Sequence, residues 1–219
     1  MKKPIIIIGA SGHAKVIIDI VEKEGKYDIL GLLANSHSAG DKVLGYDILG
    51  RDDELSAFAA GCEGVIVAIG DNYVRSKVFE RIEASCPGIP FISAIHPSAL
   101  IGRDVSIAHG AVIMAGVSIN PCCEIGRMCM LNTASSLDHD STMGDFSSLA
   151  PGVVTGGNCH IGHFSAISIG AIIKHGVNIG EHSVIGAGSL VLKDVEKNVV
   201  AYGSPAKVIR SRACGETYL

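Results

Sequence analysis

Ile95-His-Pro-Ser-Ala-Leu-Ile101-Gly-Arg-Asp-Val-Ser-Ile107-Ala-His-Gly-Ala-Val-Ile113 returns to isoleucine at every sixth residue. The count runs on without insertion through Ile119, Ile125, Leu131, Leu137, Met143 and Leu149 to Val191, and Thr155 is its one break. Four places after each of these positions, from Ala99 to Ser189, stands Ala, Cys, Ser or Val. A period of six fits neither the roughly 3.6-residue spacing of a helix nor the short alternating runs of ordinary strands. It marks a β-solenoid, in which each hexad is one short strand plus a turn and three hexads close one coil. Residues 18 apart then stack on adjacent coils, about 4.8 Å apart. The aliphatic and small positions point inward and the turn positions outward, which places Pro121, His139, Gly157 and His175 in one outward column. Periodicity does not give the hand of the coil; right-handed crossovers are the usual preference.

The residues before the repeat follow another rule. Ile5 to Ile8 is a short apolar strand, Gly9-Ala-Ser-Gly-His13 a glycine-rich turn, and Ala14 to Glu24 shows helical spacing in Val16, Ile17, Ile20 and Val21. Strands at Ile29 to Leu33 and Val65 to Ile69, with helices near Asp52 to Ala60 and at Asn72 to Ala84, complete an alternating order. That order predicts a parallel sheet covered by helices. The chain therefore divides into a Rossmann-like α/β region over 1–94, a β-helix over 95–197 and a tail over 198–219. Pro87, Gly88 and Pro90 mark the exit from the first part.

Of 219 residues, 47 % are hydrophobic and 18 % charged, with a mean hydropathy of +0.38. This is apolar for a solitary soluble chain and predicts an extensive subunit interface. No run of about 18 apolar residues is present to span a membrane. The apolar stretch near the start ends at Gly9, too short for a secretory leader. Seven cysteines without C-x-x-C spacing suit reduced thiols and a cytoplasmic protein. A net charge of −4 without a basic run gives no reason to expect nucleic acid.

With Gly9-Ala-Ser-Gly-His13, Val67-Ala-Ile-Gly-Asp71, Asn132-Thr133, Leu137-Asp-His-Asp140 and Gly203-Ser-Pro-Ala-Lys207 in place, the whole chain resembles a known family. It is similar to the left-handed parallel β-helix (hexapeptide-repeat) sugar acetyltransferases of the sialic acid O-acetyltransferase and bacillosamine N-acetyltransferase type. The resemblance implies a homotrimer with active sites between subunits, acetyl-CoA as donor, and a nucleotide-activated amino sugar or a sialic acid as acceptor. It also makes the β-helix an exception to right-handed crossover.

Acetyl transfer from a thioester to an amine or hydroxyl requires a proton to be removed as the nucleophile attacks. Histidine suits this because its reference pKa of about 6.5 lies near working pH, and a neighbouring carboxylate raises its basicity. Asp138-His139-Asp140 supplies both, although a solvated turn is the alternative reading. The resemblance makes His139 the general base and Asp140 the acid that strengthens it, where many members carry Glu. It assigns Gly157 to acetyl-CoA, with its N–H toward the thioester carbonyl, and Ile169, Gly170, Ala187 and Gly188 to the pantetheine path between two subunits. Lys207 is expected at a CoA phosphate. Ser148 stands where the family often has a donor-contacting His. Asn132 is expected to hydrogen-bond the acceptor amine, an internal Asn ladder being the alternative.

In the first region, Gly9, Ser11 and Gly12 lead into a helix whose free N–H groups can hold a diphosphate. The G-x-G-x-x-G dinucleotide fingerprint fails at Ser11, and no acidic residue follows the second strand, which argues against NAD. The resemblance implies instead that Ser11, Gly12, His13 and Gly70 contact the nucleotide of a sugar nucleotide, joined by Arg75. Many members have Asp-Asp at Ala34-Asn35. His160 and His163 form H-x-x-H, but an inward Ile161 separates them and no third ligand is evident, so no metal is expected. Cys159 falls at an inward position and reads as core.

These readings predict an acetyl-CoA-dependent N-acetyltransferase acting directly on the 4-amino group of a UDP-linked 4-amino-4,6-dideoxy sugar. O-acetylation of a sialic acid or related sugar is the alternative within the fold. A non-catalytic nucleotide-sugar-binding protein, and a γ-carbonic-anhydrase-like hydratase, which needs three converging histidines, are the alternatives outside it.

Overall fold

The computed structural model describes residues 2–218. The first region holds β1 (Lys3–Ile8), α1 (Gly12–Glu24), β2 (Tyr27–Leu33), β3 (Lys42–Val43), β4 (Tyr46–Gly50), α2 (Leu55–Phe58), β5 (Val65–Val67) and α3 (Asn72–Ser85). The sheet order is β3-β4-β2-β1-β5. β1 runs parallel to β2 and β5, β2 parallel to β4, and β3 is antiparallel to β4. Ile5 to Ile8 are fully buried because both faces of the sheet are covered. α1 buries Ala14, Ile17, Ile18, Ile20 and Val21, so Ile18 completes the stripe while Val16 faces out. Gly25 closes α1 in the left-handed conformation, φ +67°. Asp71 opens α3 by accepting from the Tyr73 and Val74 amides, both at 2.9 Å.

Three elements depart from the sequence expectation. The helix expected near Asp52 to Ala60 is broken into a 3-10 turn over Asp52–Glu54, α2, and a second turn over Ala59–Gly61. The short β3–β4 hairpin carries no strong alternation and escaped the pattern. β5 ends at Val67, two residues early.

From Ala94–Ile95 to Leu190–Val191 the chain repeats one two-residue strand per hexad. Each strand pairs in parallel with the one 18 residues on, as in Ser118↔Ser136 and Ile119↔Leu137. Three sheets form the three faces of a prism. The first carries Met130–Leu131, Ser148–Leu149 and Ala166–Ile167; the second Ser136–Leu137, Val154–Thr155 and Ile172–Ile173; the third Thr142–Met143, His160–Ile161 and Asn178–Ile179. Leu131, Leu137 and Leu149 fill the interior, and Ser135, Ser141, Ser147 and Cys159 let the walls close. Val199–Gly203 extends the first face and pairs antiparallel with Ala206–Ser211.

The corner between the third and first faces carries a ladder of Met128, Phe146, Phe164 and His182. Phe146 stacks on Phe164 at 5.2 Å and Phe164 on His182 at 4.6 Å between ring centroids. α3 packs against this ladder through Phe79, 5.5 Å from Phe146. Arg75 joins the two regions from within and is 1 % exposed. No helix is long and apolar enough to cross a membrane among the described residues.

Candidate active site

The chain leaves the second face at Leu137 and turns at Asp138-His139-Asp140. Asp138 is locked in the turn. Its carboxylate accepts from the His139 amide at 2.8 Å and from Asn120 one coil below, which holds its pKa below the ordinary carboxylate range, the Asn120 bond being the larger cause. The Asp138 amide donates to Thr155 Oγ1 at 3.0 Å. Thr155 still points inward at 4 % exposure, so the one break in the aliphatic series provides a hydroxyl that fixes this corner. Asp140 adopts φ +56°, a left-handed conformation that Asp tolerates.

The His139 ring is fixed on one side and open on the other. Nδ1 lies 2.7 Å from Asp140 Oδ2. This contact is the main cause of a His139 pKa raised above the ordinary histidine value. With the Nδ1 proton held by the carboxylate, Nε2 is the nitrogen with a free lone pair. Nε2 hangs over Gly157, where an added Cβ would sit 2.5 Å from it; any side chain at 157 displaces the imidazole. The Gly157 N–H has no protein acceptor among the described residues. His175 closes the slot from above, its ring 6.3 Å from that of His139. The corner thus brings together an imidazole with an open nitrogen, its carboxylate and a free backbone donor.

A second site lies on the first face, beneath the α/β region. His13, Gly70, Asn132, Ser148, Ile169, Ala187 and Tyr218 line a cavity of 460 Å³. Asn132 Nδ2 donates to Leu149 O at 2.8 Å. Tyr218 accepts from the Asn72 amide at 3.1 Å. His13 Nε2 is buried without a partner, and burial, followed by the charge of Arg75, lowers the His13 pKa to about 4. Ile169 stands at the rim, 62 % exposed. Gly170 and Gly188 hold φ +66° and +65° at the same corner, with open space before each. Lys207 lies exposed on the terminal hairpin and is not among the residues that line this cavity.

A cleft of 430 Å³ opens at the carboxyl ends of β1, β2 and β4, lined by Gly9, Ser11, Asn35, Asp52, Gly70 and Arg81 among others. Gly9 takes φ +109° where a Cβ would strike Ala68 O, so no other residue fits this turn. Ser11 makes no side-chain cap and the first turn of α1 has no acidic residue, which leaves the Gly12 and His13 amides open to an anion, while the Ala14 amide donates to Ser11 O at 3.0 Å. Gly70 lines both the cleft and the cavity, so the two are neighbours across this one residue.

Arg75 corrects the sequence reading. It was expected at the nucleotide, but every guanidinium nitrogen faces protein. Nε donates to Met128 O at 2.8 Å, Nη1 to Ile69 O and Gly70 O at 3.0 and 2.9 Å, and Nη2 to Asn72 Oδ1 and Phe146 O at 2.7 and 3.1 Å. A buried cation persists only when its donors are met this fully. Conversely, Asp52, Arg81 and Tyr218 line the sites without having been singled out. Val74, Lys77, Val78 and Arg81 share one face of α3 at helical spacing, which was a readable sign; Asp52, inside the charged run Arg51-Asp-Asp-Glu54, gave none.

His160 and His163 are engaged elsewhere. His160 Nδ1 meets Thr142 Oγ1 at 2.9 Å and His163 Nδ1 accepts from the Asp145 amide at 2.9 Å. Among the described residues no three His, Cys, Asp or Glu side chains converge to hold a metal. Cys159 is buried, which raises its thiol pKa.

Residues 4–82 match the family described as PglD N-terminal domain. The chain is 30 % identical to GDP-perosamine N-acetyltransferase of Escherichia coli O157:H7 over 155 residues, covering 69 % of each chain. It is 28 % identical over 132 residues to UDP-N-acetylbacillosamine N-acetyltransferase of Bacillus subtilis strain 168, covering 52 % of each. The crystal structure of PerB from Caulobacter crescentus in complex with CoA and GDP-perosamine is 33 % identical and superposes with a TM-score of 0.89 over 94 % of this chain and 97 % of that one. Fold, site-bearing motifs and relatives agree: the chain is an acyltransferase with a left-handed β-helix and belongs to the hexapeptide-repeat family of sugar acetyltransferases.

Proposed function

We propose that the chain transfers acetyl from acetyl-CoA directly to the amine of a nucleotide-linked 4-amino-4,6-dideoxy sugar, with His139 as general base. The Asp140–His139–Gly157 corner carries this reading. His139 Nε2 takes the proton as the amine nitrogen bonds to the thioester carbonyl carbon. The negative charge on the carbonyl oxygen falls to the Gly157 N–H, and Asp140 holds the imidazolium. The C–S bond then breaks, His139 returns its proton, and CoA leaves as the thiol. Because the base and the donor are both poised, no acyl-enzyme is needed.

The acceptor's path runs from the cleft to the cavity, which share Gly70 in their lining. The diphosphate sits on the amides opening α1, near Ser11 and Gly12, and the sugar passes Gly70 into the cavity of His13 and Asn132. In one chain, however, that cavity and His139 flank opposite edges of the second face. The outward side chains of that face include Leu100, Val154 and Ile172, exposed by 69, 45 and 49 %. An apolar face of this kind calls for a partner. Three copies closed by a threefold axis along it set the His139 edge of one chain against the Ile169–Ala187 edge of the next, since cyclic closure joins opposite edges. The homotrimer thus makes one site from two incomplete ones. Residues 1–94 hold the nucleotide, 95–197 the chemistry, and 198–219 the CoA side, where Lys207 serves a phosphate.

The sequence reading placed uridine in the nucleotide, whereas the relatives are named for GDP- and UDP-linked sugars alike. The test is release of free CoA thiol on incubation with acetyl-CoA and either 4-amino sugars or their 4-hydroxy counterparts, linked to GDP, UDP or dTDP. An N-acetylated product is expected; release confined to hydroxyl acceptors would overturn N-transfer.

A further inference from the structure

The nucleotide cleft contains a buried acceptor that acetyl transfer does not use. Asp52 is 9 % exposed and stands just beyond the end of β4. Asn35 Nδ2 donates to its Oδ1 at 2.8 Å, and Arg81 Nη2 to its Oδ2 at 2.5 Å. Both partners line the same cleft. A carboxylate offers about four lone-pair sites; two are filled, which fixes its plane and leaves each oxygen able to accept again.

Its place in the sheet matters as much as its chemistry. β2 lies between β1 and β4, so Asp52 is two strand spacings, about 10 Å, from the glycine turn after β1. A diphosphate at that turn puts its ribose over the end of β2 and its base at Asp52. Val74 and Val78 on α3 supply an apolar wall for the ring.

Among the bases of common sugar nucleotides, guanine presents two adjacent donors, N1–H and the 2-amino group, which a carboxylate takes in parallel. Its neighbouring O6 and N7 are acceptors of the kind guanidinium groups read, and Arg81 still has free N–H groups for them. Uracil and thymine offer one N3–H between two carbonyl oxygens, so one carboxylate oxygen would face a carbonyl and be repelled. We infer that the Asp52–Asn35–Arg81 group selects guanine, so that the acceptor is a GDP-linked amino sugar. This rests on the reading above that the turn after β1 holds a diphosphate.

Calorimetric titration of the full chain with GDP, inosine diphosphate, xanthosine diphosphate, UDP and dTDP tests it. GDP is expected to bind most tightly. Inosine diphosphate, which lacks the 2-amino group, should bind about tenfold more weakly, and UDP and dTDP about a hundredfold. Asp52→Asn replaces one acceptor by an NH₂ donor, which suits the 2-oxo group of xanthine. That variant should lose about tenfold or more for GDP and prefer xanthosine diphosphate. UDP or dTDP binding as well as GDP overturns the inference, as does an Asp52→Asn protein that weakens all five ligands equally. If UDP binds and a UDP-linked amine is acetylated, the transfer reading stands and the guanine inference alone falls. If no diphosphate binds, both fall. The wild-type ligand series decides the matter even if the variant does not fold.

Discussion

Two imidazoles at opposite edges of one prism face show how surroundings set the use of a side chain. His139 sits half-exposed on a corner, beside Asp140, and its pKa is raised. His13 lies under the α/β region with Nε2 unpartnered, and its pKa falls to about 4. The first can accept a proton and keep it while bonds rearrange. The second stays neutral throughout the working range and presents an uncharged ring to whatever enters the cavity. The repeat produces the first kind of site because every corner faces outward and neighbouring coils supply side chains in register. The junction of the two regions produces the second by excluding water. A base that must become charged belongs on the repeat, and a group that must not belongs in the junction.

Breaking the exposed side of this comparison should have the largest effect. His139→Ala should lower kcat by about 10²- to 10⁴-fold while acetyl-CoA and nucleotide still bind, measured by thiol release alongside calorimetry. An unchanged kcat would remove the role of the corner. The buried side should show itself in stability. Between its ordinary value near 6.5 and its folded value of about 4, His13 is protonated in the unfolded chain and neutral in the folded one. The unfolded state thus binds the extra proton, and stability from this group falls as pH drops from about 6.5 to about 4, by about 3 kcal/mol in all. Urea unfolding of wild type and His13→Gln across that interval should show the acid loss shrinking by about this amount in the variant. Parallel curves would place His13 in water.

The same contrast separates what could be read from the sequence from what could not. The β-helix was legible because its geometry is local: three corners per coil impose a period of six, and one register, residue to residue plus 18, fixes every contact along the column. The period alone therefore stacks His139, Gly157 and His175 in one column. Even Thr155 was visible as a break, although its bond to the Asp138 amide was not. Arg75 was misread because an arginine on the first turns of α3 looks alike whether it faces the nucleotide cleft or the β-helix. Three of its five acceptors, on Ile69, Gly70 and Asn72, are local, but those on Met128 and Phe146 are supplied only by the docking of the two regions. Asp52 was missed for the same reason, since its partners Asn35 and Arg81 come from different elements. Where partners are set by tertiary packing, no spacing rule announces them.

The smallest effect, and the finest test of what the corner does, concerns Asp140. Its carboxylate both orients the His139 ring and raises its pKa, and Asp140→Asn separates the two. The amide oxygen of asparagine can still accept the Nδ1 proton, so the ring stays in place over Gly157, but the negative charge is gone. In the proposed role His139 removes a proton only when neutral, so the wild-type rate should rise with pH as the ring loses its proton at a raised pKa. Removing the charge lowers that pKa, and the rising limb of kcat/KM should move to lower pH. A less basic imidazole also removes the amine proton less effectively, so the plateau should drop by about tenfold. Asp140 is exposed and its turn is held by Asp138 and Thr155, so melting should be unchanged. A limb that stays put while the plateau falls would mean that Asp140 only orients the ring; a limb that moves without loss of plateau would mean that proton removal by His139 does not limit the rate.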